Sequence, residues 1–153
     1  MPDTPPVSDL ARFFAFFSEV NIINQLSTAM FETRLPPGFT VSQFAVLNHL
    51  IRVRDGQTPV DLARALQVPK TTMTHSLAVL ERHGLVQTAR NPEDGRSKCV
   101  WITDAGRTFH EAAVAALATD IADIAARFPS EDLQQAMSPL TALRRLMDAR
   151  RDG

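Results

Sequence analysis

The sequence feature that most constrains the fold is a pair of predicted helices separated by a very short connection. Thr58-Pro59-Val60-Asp61 predicts a helix start, because proline suits the first helical position and an acidic residue suits the first turn. This helix extends to about Leu66. Gln67-Val68 then leaves room only for a tight turn before Pro69, which again suits a first helical position. The second helix ends at Gly84, the glycine expected just after a helix end.

Two short β-like segments follow this helix pair. They extend from Leu85 to Arg90 and from Cys99 to Thr103, and residues 91–98 join them. The joining segment contains Asp94-Gly95, a pair that is typical of a hairpin turn. A helix, a tight turn, a second helix and a charged hairpin together predict a winged helix-turn-helix.

Helical patterns also precede this unit. Apolar residues recur at helical spacing from Leu10 to Phe31, and Pro36-Pro37-Gly38 ends that segment. Thr40-Val41-Ser42-Gln43 matches a capping box, in which the Thr and Gln side chains satisfy backbone N–H groups reciprocally. We therefore expect a long first helix and a second helix that extends to about Arg54.

Two further helices are predicted after the hairpin. Thr103-Asp104 caps an alanine-rich helix that extends to Phe128, and Pro129-Ser130 starts the last helix. Pro139 lies inside that last helix, where we expect a kink or a restart with Ser138 as its cap. The predicted fold class is mainly α with a small β-hairpin wing, flanked by terminal helices.

Size and composition narrow the class of protein. The 153 residues fit one domain over residues 1–153, with 44% hydrophobic and 22% charged residues. The single cysteine, Cys99, cannot form an internal disulfide, and the first six residues do not resemble a signal peptide. The longest apolar run, Ala112 to Ala118, is far shorter than the roughly 20 residues that a membrane span needs. We therefore expect a cytoplasmic protein without a membrane partner.

The distribution of charge differs from the total charge, although a local excess of the size found here is usually only a solvated surface. The net charge is −1, but Lys70 to Lys98 contains five basic residues against three acidic ones, a local excess of +2. In a helix-turn-helix, the second helix enters the major groove of double-stranded DNA. The residues predicted to contact DNA are Lys70, Thr71, Thr72, Thr74 and His75 on that helix, and Arg90, Arg96 and Lys98 on the hairpin.

The segment LERHGLVQTARNPEDGRSKCVWITDAG resembles the most recognisable signature of the MarR-type winged-helix transcriptional regulators. TVSQFAVLNHL and LARAL resemble the second and third helices of that family, so the likeness covers nearly the whole chain. The resemblance implies that Arg96 enters the minor groove and that Asp94 holds it in place. It also implies that residues 40–103 bind DNA, whereas residues 9–35 and 104–150 form a homodimer.

The resemblance further implies repression at a pseudo-palindromic operator and release by a small effector, here expected to be aromatic or phenolic. Two positions depart from the family pattern, because His75 and Gly95 stand where members commonly have arginine. An imidazole is only partly charged near neutral pH, unlike a guanidinium. We therefore expect phosphate affinity at His75 to be weaker or to depend on pH.

Other candidate sites have weaker support. Phe13, Phe16 and Phe17, with His49, are candidate effector-pocket residues, although an aromatic stripe on one helix also suits a core or a dimer contact. Cys99 fits packing in a strand better than a redox role. No histidine pair has metal-ligand spacing, and no nucleophile elbow, P-loop or dinucleotide-binding motif is present. We therefore expect no metal, no cofactor and no catalytic residues.

Two other functions compete with DNA binding. A winged helix can hold a protein partner without binding an operator, and the phenylalanine-rich first helix could serve a small-molecule sensor or an enzyme. Salt dependence separates the first alternative from DNA binding, because neutralising several phosphates makes affinity fall steeply as salt rises. Bound ligand or turnover in the purified protein would favour the second.

Overall fold

A computed structural model describes residues 6–151, and this part of the chain contains six helices and one two-stranded sheet. Residues 1–5, which include most of the segment compared above with a signal peptide, and residues 152–153 lie outside it. The elements are α1 (Val7–Glu32), α2 (Val41–Arg52), α3 (Pro59–Ala65), α4 (Lys70–Arg82), β1 (Val86–Arg90), β2 (Lys98–Ile102), α5 (Asp104–Ala125) and α6 (Ser130–Arg151). They confirm the predicted mainly α class with a hairpin wing.

The chain divides into two compact units, Met1–Ala116 and Leu117–Gly153, and α5 crosses the boundary between them. In the second unit α5 ends at Ala125, before the expected Phe128. The second unit also contains α6, which continues through Pro139 as one helix, so the expected restart at Ser138 is wrong. The missing N–H of a proline removes one backbone bond, whereas the turns on either side keep theirs.

Side-chain caps start two helices of the first unit, and the first of these caps was predicted. The capping box of α2 is complete, since Thr40 Oγ1 accepts the Gln43 N–H at 3.4 Å and Gln43 Oε1 accepts the Thr40 N–H at 3.0 Å. In α3, Thr58 Oγ1 accepts the Asp61 N–H at 3.2 Å. The prediction for α4 was off by one residue. Pro69 is the N-cap rather than the first helical residue, because its ψ of 149° is extended.

The tight turn between α3 and α4 depends on the backbone of Gln67. Gln67 has a φ of 57°, the left-handed conformation that glycine most often adopts at a helix end. Its N–H donates to the Arg64 carbonyl at 3.3 Å, and the Val68 N–H donates to the Ala63 carbonyl at 3.0 Å. These two bonds close the last turn of α3 and reverse the chain, so that α4 starts directly afterwards.

One apolar core joins α4 to the hairpin. Its buried residues come from α2, α3, α4, both strands and the adjoining chain, and are Val46, Leu47, Leu50, Leu62, Ala63, Met73, Leu77, Leu80, Leu85, Val86, Val100 and Ile102. The apolar side chains that α4 buries in this core are Met73, Leu77 and Leu80. Val60 on α3 is 45% exposed. The buried residues of α3 are Leu62 and Ala63. Val60 lies about 200° around the helix from Leu62 and about 60° from Ala63, so it borders the buried stripe.

The hairpin is antiparallel and is attached to the segment that follows α2. Arg90 lies opposite Lys98 at its tip end. The Val100 N–H donates to the Gln57 carbonyl at 2.8 Å, which adds a short bridge at the other edge of β2. Cys99 is buried in β2, as predicted for a packing residue. The hairpin is therefore held by backbone bonds as well as by the core.

The start of α5 packs directly on the connection between α4 and β1. Thr103 Oγ1 donates to the Gly84 carbonyl at 2.6 Å and accepts the Gly106 N–H at 3.0 Å. A Cβ on Gly106 would overlap the carbonyl oxygen of Leu85, so only glycine allows this approach. As predicted, Gly84 ends α4 with a positive φ of 70°.

Within the first unit, α5 also contacts α2 through His110. Its Nε2 lies 3.0 Å from Asn48 Oδ1, and its ring stacks on Phe44 with the centroids 5.0 Å apart. Burial lowers the pKa of His110, Glu111 opposes this shift, and Arg52 adds to it. The contact between the two helices is therefore made by an imidazole whose uncharged form is favoured.

Gln67→Gly should stabilise the protein by up to about 1 kcal/mol, because glycine adopts the left-handed conformation without a Cβ penalty. Gln67→Val should instead destabilise it by about 1 kcal/mol, because branching at Cβ makes that conformation more strained. Urea unfolding followed by circular dichroism measures both. Equal stabilities for the two variants would show that this φ value does not limit the turn.

Candidate nucleic-acid interface

The N-terminal half of α4 is exposed and begins without a side-chain cap. Its N-cap residue, Pro69, makes no side-chain hydrogen bond to the first turn. The first-turn N–H groups of a helix carry partial positive charge and attract anions such as phosphate. Four of the five predicted helix contacts share this exposed half: Lys70, Thr71, Thr74 and His75.

Thr72, the fifth predicted helix contact, has a different environment. It is half-buried and lines a cavity of about 500 Å³ between α4, α1 and α2, with Met73 and Ser76 buried beside it. The hydroxyl of Thr74 donates to the Lys70 carbonyl at 2.9 Å, so its oxygen is left to accept. Because Thr72 is half-buried, the exposed face of α4 is narrower than the sequence predicted.

The loop at the tip of the hairpin is fixed by its own side chains. Asp94 Oδ1 accepts the backbone N–H of Arg96 at 3.0 Å, and the Ser97 N–H donates to the Asp94 carbonyl at 3.1 Å. Asn91 Oδ1 accepts the Glu93 N–H at 3.0 Å. Asp94 therefore holds Arg96 through its main chain, and in the described part of the chain the Arg96 guanidinium makes no ion pair.

Three cations meet at a concavity on the hairpin. Arg90, Arg96 and Lys98 line a space of about 310 Å³, together with neutral residues of the same hairpin. The Nε of Arg90 donates to the Gly95 carbonyl at 3.3 Å, which holds this side chain across the loop. No carboxylate lines the concavity, so its charge favours an anion.

Asp55 positions the hairpin from a distance in sequence. Its Oδ1 accepts the backbone N–H groups of Gly56 and Ile102, both at 3.0 Å, and its Oδ2 lies 3.5 Å from Arg107 Nη2. No local pattern could have shown that the carboxylate binds the end of β2.

Two other contacts hold the hairpin in place. Trp101 covers Gly56, where a Cβ would lie 2.5 Å from Trp101 Cη2, and Gly56 has a positive φ of 68°. Thr88 Oγ1 donates to Glu81 Oε1 at 2.9 Å, which ties β1 to α4. The exposed half of α4 and the cationic hairpin are therefore parts of one fixed unit.

The candidate pocket residues do not converge on either cavity. Phe13, Phe16 and Phe17 lie on α1, exposed by 38% or more, and Phe17 has its ring centroid 6.2 Å from that of Phe13 and 5.8 Å from that of Phe16. His49 lies on α2, with its Nε2 3.1 Å from Gln57 Oε1. None of the four lines the two cavities described above. Their role in a pocket stays a prediction.

Two further observations concern residues 6–151. No group of three or more His, Cys, Asp or Glu side chains in this range could hold a metal ion. None of its helices is both long and apolar enough to cross a membrane.

Comparison with known proteins identifies the family. The MarR family model matches residues 38–97, from the loop before α2 to the hairpin tip. HosA, a transcriptional regulator of Escherichia coli, is 33% identical over 98 residues, which cover 64% of this chain and 71% of HosA. The chain belongs to the MarR family. Its described residues have a winged helix-turn-helix fold.

One other relative of this MarR-family protein and one solved structure extend the comparison. The transcriptional activatory protein BadR of Rhodopseudomonas palustris is 34% identical over 101 residues, covering 65% of this chain and 56% of BadR. The chain thus spans just over half the length of BadR. The crystal structure of the Streptomyces coelicolor regulator PcaV, in complex with its natural ligand, covers 97% of this chain and 99% of PcaV. With a TM-score of 0.67 and 24% identity, it shares the fold.

Asp55→Ala should destabilise the protein by about 2 kcal/mol, because it leaves the N–H groups of Gly56 and Ile102 without their acceptor. Arg107→Ala is the matched control. It removes only a half-exposed ion pair and should cost less than about 1 kcal/mol. Urea unfolding measures both, and equal losses would assign the effect to the ion pair instead.

Proposed function

We propose that this MarR-family regulator binds double-stranded DNA through α4 and the hairpin. The proposal rests on one observation. The exposed start of α4, which has no side-chain cap, and the hairpin concavity lined by three cations are attached to the same apolar core. Side chains of a recognition helix fit base edges in a major groove roughly 12 Å wide, and cations on a hairpin fit phosphates. The positive charge on the hairpin then allows the chain to bind DNA although its net charge is −1.

The two elements have different roles in this proposal. Exposed residues of α4 read bases, and Thr74 is suited to accept a hydrogen bond from a base amino group, because its own hydrogen is engaged by Lys70. Arg96 enters the minor groove from the hairpin tip, whose shape Asp94 fixes. The proposed DNA contacts are Lys70, Thr71, Thr72, Thr74 and His75 on the helix, and Arg90, Asp94, Arg96 and Lys98 on the hairpin.

The terminal helices support a homodimer. α1 has no buried residue, and its exposed apolar side chains are Val7, Leu10, Phe13, Phe14, Phe16, Phe17, Val20, Ile22, Ile23 and Leu26. In the second unit, α6 likewise has no buried residue, and its exposed apolar side chains are Leu133, Met137, Leu140, Leu146 and Met147. Apolar surface on this scale is typical of a protein interface.

We assign residues 9–35 and 104–150 to dimerisation and residues 40–103 to DNA binding, within one domain. A two-fold dimer presents two copies of α4 in symmetric positions. Each copy would enter the major groove at half-sites about 10 bp apart or a multiple of that distance, so the operator is pseudo-palindromic.

From the family resemblance we propose that the protein represses transcription. We also propose that it acts in the cytoplasm and catalyses no reaction. BadR favours the opposite direction, because its name describes an activator. A reporter behind the bound promoter distinguishes the two. Loss of the protein raises expression if it represses and lowers expression if it activates.

An effector is also part of the proposal. PcaV was crystallised with its natural ligand, and Phe13, Phe16, Phe17 and His49 are the residues proposed to bind a small aromatic or phenolic molecule here. Such a molecule changes operator affinity only if its own affinity differs between the DNA-bound and free conformations. If no small molecule of this class alters operator affinity, the effector is removed from the proposal.

Arg96→Ala should weaken binding to many DNA sequences alike, because a phosphate or minor-groove cation does not identify a base. The slope of log K against log salt should fall in magnitude by about one unit. Fluorescence anisotropy with fragments selected from random or genomic DNA measures it. Arg82→Ala, which removes a cation from the last turn of α4, is the control and should leave the slope unchanged. A wild-type protein without salt-dependent DNA binding would favour the protein-interaction module.

The wild-type protein should sediment as a dimer at micromolar concentration. Ile23→Glu places a charge on the apolar surface of α1, where Ile23 is 62% exposed, and should shift the equilibrium towards the monomer without loss of helix. Ser18→Glu, on the same helix, is the matched control. Sedimentation equilibrium measures all three. A monomeric wild type would remove α1 from the proposed interface.

A further inference from the structure

The backbone conformation of Gly95 does not require glycine, but the space beside its Cα does. The glycines with a positive φ in the described residues are Gly38, Gly56 and Gly84, so alanine could adopt the backbone of Gly95. A Cβ on Gly95 would instead lie 2.7 Å from Nη2 of Arg90 and 2.9 Å from its Nε. The space beside Gly95 is therefore occupied by the guanidinium of Arg90.

Gly95 also binds this guanidinium. The Nε of Arg90 donates to the Gly95 carbonyl at 3.3 Å. Arg90 makes no ion pair in residues 6–151, although Glu93 and Asp94 are close in sequence. Its cross-strand neighbour is Lys98, a like charge that does not favour arginine at this position. The strand pairing thus gives no structural reason for Arg90, and the bond to Gly95 orients it without neutralising it.

We propose that Arg90 contacts a backbone phosphate beside the minor groove that Arg96 enters, and that Gly95 is the residue that positions the Arg90 guanidinium. This inference rests on the proposed function and adds to it the mechanism that orders the cation. With its Nε engaged by the carbonyl, the guanidinium keeps its terminal NH₂ groups for phosphate oxygens. Its concavity also contains Arg96 and Lys98.

The same arrangement explains the departure at position 95. Where the family commonly places an arginine, this chain has Gly95 and carries the charge on Arg90 from the opposite side of the loop. An arginine at position 95 would place its Cβ 2.7 Å from Nη2 of Arg90, so the Arg90 guanidinium would have to move. Gly95→Arg should therefore displace Arg90 and should not simply add one contact.

A double-mutant cycle on the whole protein tests the inference. Arg90→Ala should weaken DNA binding about threefold and lower the salt slope by about one unit. Gly95→Ala keeps every charge and should also weaken binding about threefold, because it displaces the guanidinium. In the Arg90→Ala background, Gly95→Ala should have no further effect. Equal losses in both backgrounds, or wild-type affinity in Arg90→Ala, would overturn the inference.

A measurement without DNA distinguishes this inference from the proposed function. The Arg90 Nε–H signal should be resolved by NMR and should exchange slowly in the wild type, and Gly95→Ala should move it and speed its exchange. Arg82 supplies the reference signal. An Arg90 signal that Gly95→Ala leaves unchanged would overturn the positioning role. A wild type that binds no DNA would overturn the phosphate contact together with the proposed function, whereas DNA binding that is insensitive to Arg90→Ala would overturn this inference alone.

Discussion

The burial of apolar side chains between α4 and the hairpin is the interaction on which the rest of the structure depends. Leu77 and Leu80 on the inner face of α4 share one core with Val86 and Val100 of the two strands. Burial of each such side chain contributes roughly 1.5–3 kcal/mol. Because both elements are anchored in this core, the exposed half of α4 and the cationic tip of the hairpin keep a fixed relation, as binding to one rigid duplex requires.

Polar contacts fix the ends of helices and strands whose positions the apolar core determines. Asp55 reaches the end of β2, and two successive helices, α2 and α3, start with threonine caps at Thr40 and Thr58. The next helix, α4, starts at Pro69 without a side-chain cap. A cap contributes about 1 kcal/mol to stability. Because α4 has no such cap, its first-turn N–H groups remain available to an external anion. The protein therefore gives up about this much folding stability at the helix end that the proposed function needs open.

Much of the fold could be predicted from the sequence because its signals are local. The capping box at Thr40 and the glycine end at Gly84 each depend on residues within one or two turns. The contacts that could not be predicted depend on a distant partner or on the path of a side chain. Nothing near Asp55 predicts its bond to Ile102, which is far away in the sequence. Arg90 and Gly95 are close in the sequence, but no residue pattern shows that the Arg90 side chain crosses the loop to fill the space beside Gly95. The candidate interface was therefore predicted by residue type, whereas its fixed geometry required the structure.

In the proposed complex, two copies of a rigid helix-and-hairpin unit bind one duplex. Hydroxyl-radical footprinting of a selected operator tests this arrangement, because it maps each contacted stretch of sugar along both strands. We expect protected stretches on one face of the duplex, related by two-fold symmetry and separated by about one helical turn or a multiple of it. A single protected stretch, or uniform protection without symmetry, would contradict it.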